Sequence, residues 1–371
     1  MVYRTAIVGT GGIAVAHIEG IRALGGRAEV SAVVDIDTAR ARAFAETWGI
    51  ARVHASVDEM LAAEKPDLVH ICTPPGSHLP LTAAVLRGGS VPLVEKPPAM
   101  TLAEIDEAIA VERETGRQAV AVFQQRFGSG AVRLRQAVAD GTFGRPLVAV
   151  CNTLWYRDAE YFAVPWRGNW EIEGGGPTMG HGIHQFDLLL SILGPWQTVR
   201  AVAARQDRPT DTEDVSAAIV TFENGAIATV LNSLVSPRET SSLRFDFEHA
   251  TVELEHLYGY GDADWRFTPA PGSEALAESW SGAGARAAAS EVRSGHAAQF
   301  SAIFDALDAG RPAPVGLDDA RQTMDLVASI YASAFEDRTV IRGSIDAGDP
   351  FYASMLGTGA PWLTALTGAT A

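Results

Sequence analysis

The chain has 371 residues and a mass of 39.3 kDa, too long for one ordinary core, since domains run to roughly 100–200 residues each, so two domains are expected. Twenty-nine Lys and Arg against 45 Asp and Glu leave a formal charge of −16, and so acidic a surface repels phosphate backbones and anionic headgroups, arguing against nucleic-acid and membrane partners. A hydrophobic fraction of 47% excludes a disordered chain, and two cysteines, Cys72 and Cys151, exclude a disulfide framework or a four-ligand zinc site and point to a reducing, cytoplasmic setting. The apolar N-terminal stretch is interrupted by Gly9, Gly11, Gly12, His17 and Glu19, unlike a signal peptide, and no run approaches the ~20 apolar residues of a membrane span.

In chain order, short β-branched runs first alternate with longer amphipathic stretches. Residues 5–8 read as a strand, 13–24 as a helix, 30–34 as a strand and 38–48 as a helix with Asp37 as its cap. Strands follow at 67–72, 91–94 and 119–123, with helices at 79–87 and 102–114 between them. Such alternation requires crossover connections, so this half is a doubly wound α/β domain with a parallel sheet. After about Gly144 strand-like runs follow one another directly, at 199–204, 215–222, 226–234 and 251–256, and Glu223-Asn224-Gly225 is a hairpin signal. One helix at 183–193 precedes them. The second half is therefore expected to hold an antiparallel-rich sheet. Residues 272–290, rich in Ala, Gly and Ser, read as a mobile surface loop, and 296–307 and 318–335 read as amphipathic helices.

The first strand ends in Gly9-Thr10-Gly11-Gly12-Ile13-Ala14, a G-x-G-x-x-A fingerprint between a strand and a helix. Gly9 permits the tight turn, Gly11 lets backbone approach a pyrophosphate, and the small Ala14 lets the helix pack close to the strand. The helix start then offers unpaired N–H groups and partial positive charge to phosphates. Asp35 follows 21 residues after Ala14 at the end of the second strand, close to the ~20-residue spacing of the acid that holds the adenosine ribose. A carboxylate there accepts from a 2′-hydroxyl and repels a 2′-phosphate, favouring NAD over NADP; the bland alternative is that Asp35 or Asp37 only caps the next helix.

Cys72-Thr73-Pro74-Pro75-Gly76-Ser77-His78, Val94-Glu95-Lys96-Pro97-Pro98, Gln124-Gln125-Arg126-Phe127 and Gly174-Gly175-Gly176 leading into His184-Gln185-Phe186-Asp187 follow in order. With the fingerprint, these motifs make the chain resemble the glucose-fructose oxidoreductase / inositol dehydrogenase / rhizopine-catabolism (Gfo/Idh/MocA) family over nearly its whole length. The resemblance implies an N-terminal Rossmann domain, 1–126, and a C-terminal α/β domain with a large open, mostly antiparallel sheet, 127–371, for substrate binding and oligomerisation. A homodimer or homotetramer is expected, as is a cis peptide at Lys96-Pro97. Cofactor contacts are implied for Gly9, Gly11, Gly12, Ile13, Ala14, Asp35, Thr73, Pro74, His78, Glu95, Lys96 and Gln124.

The resemblance further implies that Lys96 hydrogen-bonds the reacting oxygen and that His184 takes the hydroxyl proton, or returns it in the reverse direction. The implied activity is NAD(P)-dependent hydride transfer at a secondary alcohol of a sugar, glycoside or polyol. Tyr156, Arg157 and Arg167 join Lys96 and His184 as substrate contacts, because aromatic rings stack on sugar faces while Arg, Asn and Asp bond hydroxyls; His181, three residues before His184, is a further substrate contact, a compensating neighbour of His184 or a structural residue. Many polyol-oxidising relatives carry Asp four residues before the histidine, where this chain has Gly180. Asp187 is either a compensating neighbour of His184 or a buried helix-fixing carboxylate. No metal is expected, since His181 and His184 lack a matched ligand set. Two rival functions stay open: a redox-neutral, NAD-retaining glycoside-cleaving enzyme, and a non-catalytic dinucleotide sensor.

Overall fold

Six strands form a parallel sheet: β1 Tyr3–Val8, β2 Ala28–Val34, β3 Arg52–His54, β4 Leu68–Ile71, β5 Val91–Val94 and β6 Val120–Ala121, in the order β3-β2-β1-β4-β5-β6. They lie in the first of two units of a computed structural model that describes residues 2–164, 166–281 and 291–363. That unit comprises Met1–Gln124 and Gly295–Arg321; the second comprises Gln125–Ser294 and Gln322–Ala371. Alternate side chains of each strand feed opposite faces. Ala6, Val8, Val69 and Ile71 pack with Ala32, Val34 and Val94 on one side, while Ile7 and Val33 meet Ala14, Ile18 and Phe44. Strand order reverses at β1, whose neighbours are β2 and β4, and ligands of open α/β sheets bind at such a switch point, outside the carboxyl ends of the strands. The helix His296–Asp308 also belongs to this unit, its Phe300, Ile303 and Phe304 packing with Leu68, Leu93 and Val122.

The second unit is built on an eight-stranded sheet of β7 Pro146–Tyr156, β8 Trp196–Ala204, β9 Val215–Phe222, β10 Ile227–Ser233, β11 Val235–Phe247, β12 Ala250–His256, β13 Trp265–Pro269 and β14 Val340–Ile341. Its order is β13-β12-β11-β7-β10-β9-β8-β14, antiparallel except between β7 and β10. The expected turn joins β9 to β10, with Gly225 at φ +90°. The helix Ile183–Leu193 is nearly all buried. Outward-facing Val148, Val202, Ile219, Ile227 and Ile341 are exposed.

Two parts of the sequence reading are amended. The long central strands β7 and β11 are not among the strands expected from the sequence; β11 carries Pro237 and a polar run through Ser242 that masks its period. Within the expected loop at 272–290, Leu276–Ser281 is a short helix that buries Trp280 against Phe267, rings 5.5 Å apart and stacked, with Arg133 over the indole at 4.4 Å. Residues 282–290 of that stretch lie outside the described residues. No helix among the described residues is long and apolar enough to cross a membrane.

Candidate active site

The carboxyl ends of β1, β2, β4 and β5 share one edge of the parallel sheet, which brings Gly9, Asp35, Thr73 and Lys96 to that edge. Gly9 has φ +88°, and a Cβ on it would stand 2.8 Å from the Cys72 carbonyl, so only glycine fits. Ala14 is fully buried in the helix Gly12–Arg22, against β1 and β2 residues. A Cβ at Gly11 or Gly12 would meet no protein atom within 4 Å, and that helix start has no side-chain cap among the described residues. Ile13 is exposed beside it. The space these glycines leave, under uncapped N–H groups, fits a dinucleotide pyrophosphate.

Asp35 is buried, and its carboxylate collects five donors. Thr10 N and Oγ1 lie at 2.7 and 2.8 Å, Asp37 N at 2.9 Å, and Arg40 Nε and Nη2 at 3.1 and 2.6 Å. Burial alone would raise this carboxyl, but the Arg40 guanidinium and the Thr10 and Asp37 donors outweigh it and hold it at about 2. Capping belongs to Asp37, which accepts from Ala39 N and Arg40 N at 3.1 and 3.0 Å. Arg40 carries no motif of its own; an Arg five residues after the acid is its only signal in the sequence.

After β4, Ser77 Oγ donates to Thr73 Oγ1 at 2.7 Å, and Pro74 is exposed. The buried His78 ring lies 2.7 Å from the Pro97 carbonyl and 2.8 Å from that of Thr73, strapping the loop after β4 to the segment after β5. Gln124 Oε1 is buried with no hydrogen-bond partner among the described residues, an orphaned acceptor suited to a bound group's donor. Lys96-Pro97 is cis. Glu95, buried at the end of β5, accepts the Lys96 amide N–H at Oε2, 3.0 Å, while Oε1 faces His17 Nε2 and His296 Nε2 at 3.0 and 3.1 Å. Burial opposes its charge, yet the two imidazoles hold the Glu95 carboxyl well below the usual range.

In the second unit, β7 delivers Trp155 inward and Tyr156 outward. Trp155 Nε1 donates to Ser241 Oγ at 3.0 Å, and its ring meets those of His181 and Tyr258, each at 4.9 Å. Arg157 lies over Trp155 at 4.7 Å, pairs with Glu239 at 2.7 Å and donates to Tyr258 Oη at 3.0 Å. Arg167 stacks on Tyr161 at 3.8 Å and on Trp166 at 4.4 Å, and Tyr161 Oη is 3.3 Å from His181 Nε2. Arg157, Arg167 and His181 thus meet around an aromatic wall. The Tyr156 ring instead packs under Arg208 at 4.8 Å, as the strand alternation requires. Tyr161, Glu239 and Tyr258 escaped the sequence reading: Tyr161 sits in an aperiodic stretch, and the other two come from distant segments.

His181 lies in a π-helical turn, Thr178–Gly182, and His184 in the first turn of the helix that follows; such single π turns are frequent at functional sites. Buried Glu213 holds the turn's start, accepting from Gly176 N and Thr178 N, both at 3.1 Å, and from Tyr331 Oη at 2.8 Å. Burial pushes the Glu213 carboxyl up to about 7. Gly176 cannot carry a side chain there, since its Cβ would fall 2.0 Å from the Glu213 carbonyl oxygen. Gly180 differs: a Cβ there has space, its nearest neighbour being Glu173 Oε1 at 3.9 Å. Asp187 is fully buried and bidentate to Arg126, at 2.5 and 2.6 Å, a contact that the helix-fixing reading calls for.

The comparisons with known proteins agree with the fold. Residues 3–123 match the model of the oxidoreductase family with an NAD-binding Rossmann fold, and 131–253 match the GFO/IDH/MocA C-terminal domain. D-glucoside 3-dehydrogenase of Escherichia coli K12 is 30% identical over 280 residues, 69% of this chain and 78% of that protein. D-apiose dehydrogenase of Paraburkholderia graminis is 26% identical over 95% of this chain and 93% of its own. The WlbA dehydrogenase of Bordetella pertussis, crystallised in complex with NADH and UDP-GlcNAcA, superposes with a TM-score of 0.79 at 25% identity, covering 93% of this chain and 100% of that one. The chain belongs to the GFO/IDH/MocA family of NAD-binding oxidoreductases, whose relatives here are sugar dehydrogenases.

Proposed function

We propose that the protein is an NAD-dependent dehydrogenase that oxidises a secondary alcohol of a sugar, glycoside or polyol, or reduces the matching ketone. The observation that supports it most is Lys96, set at the carboxyl end of β5 on the sheet edge that carries the glycine turn, its amide tied to a buried ionised glutamate. An ammonium so placed donates to the reacting oxygen and steadies alkoxide character. His184 takes the hydroxyl proton during oxidation and returns it in reduction. A bound nicotinamide supplies the hydride acceptor. Asp35 selects NAD, since an ionised carboxylate repels a 2′-phosphate. Arg157, Arg167 and His181, beside the Trp155 and Tyr161 rings, suit the alternating apolar and hydroxyl faces of a sugar. The exposed apolar face of the eight-stranded sheet supports a homo-oligomer.

The test is reduced-nicotinamide absorbance with NAD or NADP across inositols, free hexoses, glycosides and sugar acids. NAD-linked turnover on at least one class is the expected outcome. Product formation with no accumulation of NADH would replace this reading by redox-neutral chemistry, and nucleotide binding without any product would replace it by a sensor.

A further inference from the structure

His17, His70 and His296 are buried or nearly so within the first unit, and the chemistry above uses none of them. They come from three elements: His17 from the helix Gly12–Arg22, His70 from β4, and His296 from the start of His296–Asp308. All converge on Glu95. His17 Nε2 and His296 Nε2 both face Oε1, and His17 Nδ1 lies 2.9 Å from His70 Nδ1.

The donors can be assigned. A carboxylate only accepts, so His17 and His296 each place a proton on Nε2. Neutral His17 then accepts at Nδ1 from His70 Nδ1–H, leaving His70 Nε2 as a bare lone pair, and that atom is buried with no partner among the described residues. A second proton on His17 would reverse its bond to His70 and force an N–H onto that orphaned nitrogen. Burial lowers both His17 and His70, in keeping with this arrangement. The remaining titratable neighbours, Cys72 and His78, are buried as well; burial and the Glu95 charge raise the Cys72 thiol, and burial lowers His78.

We infer that His70, His17 and His296 are positioning residues for Lys96, acting through Glu95. They fix both the orientation and the ionisation of the carboxylate whose second oxygen holds the Lys96 amide. The peptide that carries the reacting ammonium is thereby tied to two helices and a strand, with a permanent negative charge one residue away. This inference rests on the proposed role of Lys96.

The chain has only two lysines, Lys65 and Lys96, which makes a direct test practical. Reductive methylation with ¹³C-formaldehyde gives two dimethyl-lysine signals besides the N-terminus, and Lys65→Arg assigns them. In His17→Leu and Glu95→Gln, the Lys96 signal is expected to shift and its titration midpoint to fall, because the neighbouring anion is weakened or removed. His17→Gln, whose amide can still donate to Glu95, stays near the unsubstituted protein. With a substrate from the panel, His17→Leu lowers kcat by roughly ten- to a hundredfold with KM little changed, and His17→Gln recovers much of it. Thermal melting and NADH binding check that each variant is folded. A Lys96 signal and titration unmoved in folded His17→Leu and Glu95→Gln would overturn the inference. So would stoichiometric Zn²⁺ lost in His17→Gln and His296→Gln, since the cluster's ligand atoms lie within 4.8 Å of one another. The NMR arm needs no turnover, so a Lys96→Ala variant that keeps full activity would defeat the proposed function while leaving this result to stand.

Discussion

Asp35→Ser should exchange the preference for NADH over NADPH. Its carboxylate already holds five protein donors, more than its ~four lone-pair sites accommodate well, so a ribose hydroxyl must displace one. Arg40 is the exchangeable partner, because its side chain is 49% exposed whereas Thr10 is buried. A hydrogen bond to a charged acceptor contributes about 1.5–3 kcal/mol, and the partly exposed ion pair it disturbs about 0–1 kcal/mol. The net is ~1–2 kcal/mol, or roughly five- to thirtyfold in NADH affinity. Serine removes that gain and frees the Arg40 guanidinium to meet a 2′-phosphate, a change of similar size in the opposite direction. The NADH/NADPH ratio of dissociation constants should therefore move by on the order of a hundredfold. Fluorescence titration with both reduced nucleotides reads it without any substrate, and thermal melting controls for the Thr10 N–H left without its acceptor. In Asp35→Ser/Arg40→Ala the NADPH gain should vanish. A ratio unchanged in a folded Asp35→Ser protein would show that Asp35 does not discriminate between the two nucleotides.

Asp187→Ala leaves the Arg126 guanidinium, 14% exposed, without its bidentate partner, and urea unfolding should show a loss of about 3–5 kcal/mol; a loss below about 1 kcal/mol would contradict this role. Glu213 is raised from 4.5 to about 7, so its contribution is complete below the unfolded value and is lost as pH climbs through about 7. That amounts to about 3 kcal/mol, and the stability difference between the unsubstituted protein and Glu213→Gln should shrink over that pH range; a difference independent of pH would argue against it. A Cβ at position 180 meets Glu173 Oε1 no closer than 3.9 Å, and Gly180→Asp puts a carboxylate one turn before His184, so the acid limb of the pH–rate profile should move to higher pH by up to about one unit. An unchanged profile would show that position 180 does not sense the reacting histidine.

Much of the first unit was legible because its signals are local. Thr5–Val8 followed by Gly9 and Ala14, Asp35 at the expected spacing, and the Asp37 cap each depend on a few neighbouring residues. The structure gives Gly9 a clash-free geometry only as glycine and gives Asp37 its two amide donors. The second sheet was only half legible. β9 and β10 are joined by a turn with its own sequence signature, but β11 pairs with β7 across about ninety residues, and a polar strand fixed by distant neighbours leaves little local period. The same limit hid these partners of Asp35 and Glu95. Arg40 could have been suspected from its spacing to Asp35, whereas His17 and His296 meet at Glu95 from 78 and 201 residues away. Gly175 and Gly176 were visible as a cluster, but their reason, contact with Tyr331 and Glu213, is tertiary.

The most direct test of the central claim is single-turnover NADH formation by Lys96→Ala and His184→Ala, mixed with NAD and a substrate the unsubstituted protein oxidises. Both variants are expected to bind NADH and melt normally while the rate of reduction falls by at least about a hundredfold in each, since each removes a group acting only on the reacting oxygen or its proton. NADH formed at an undiminished rate by Lys96→Ala would remove Lys96 from the reaction, because no other lysine of the chain but Lys65 could take its place.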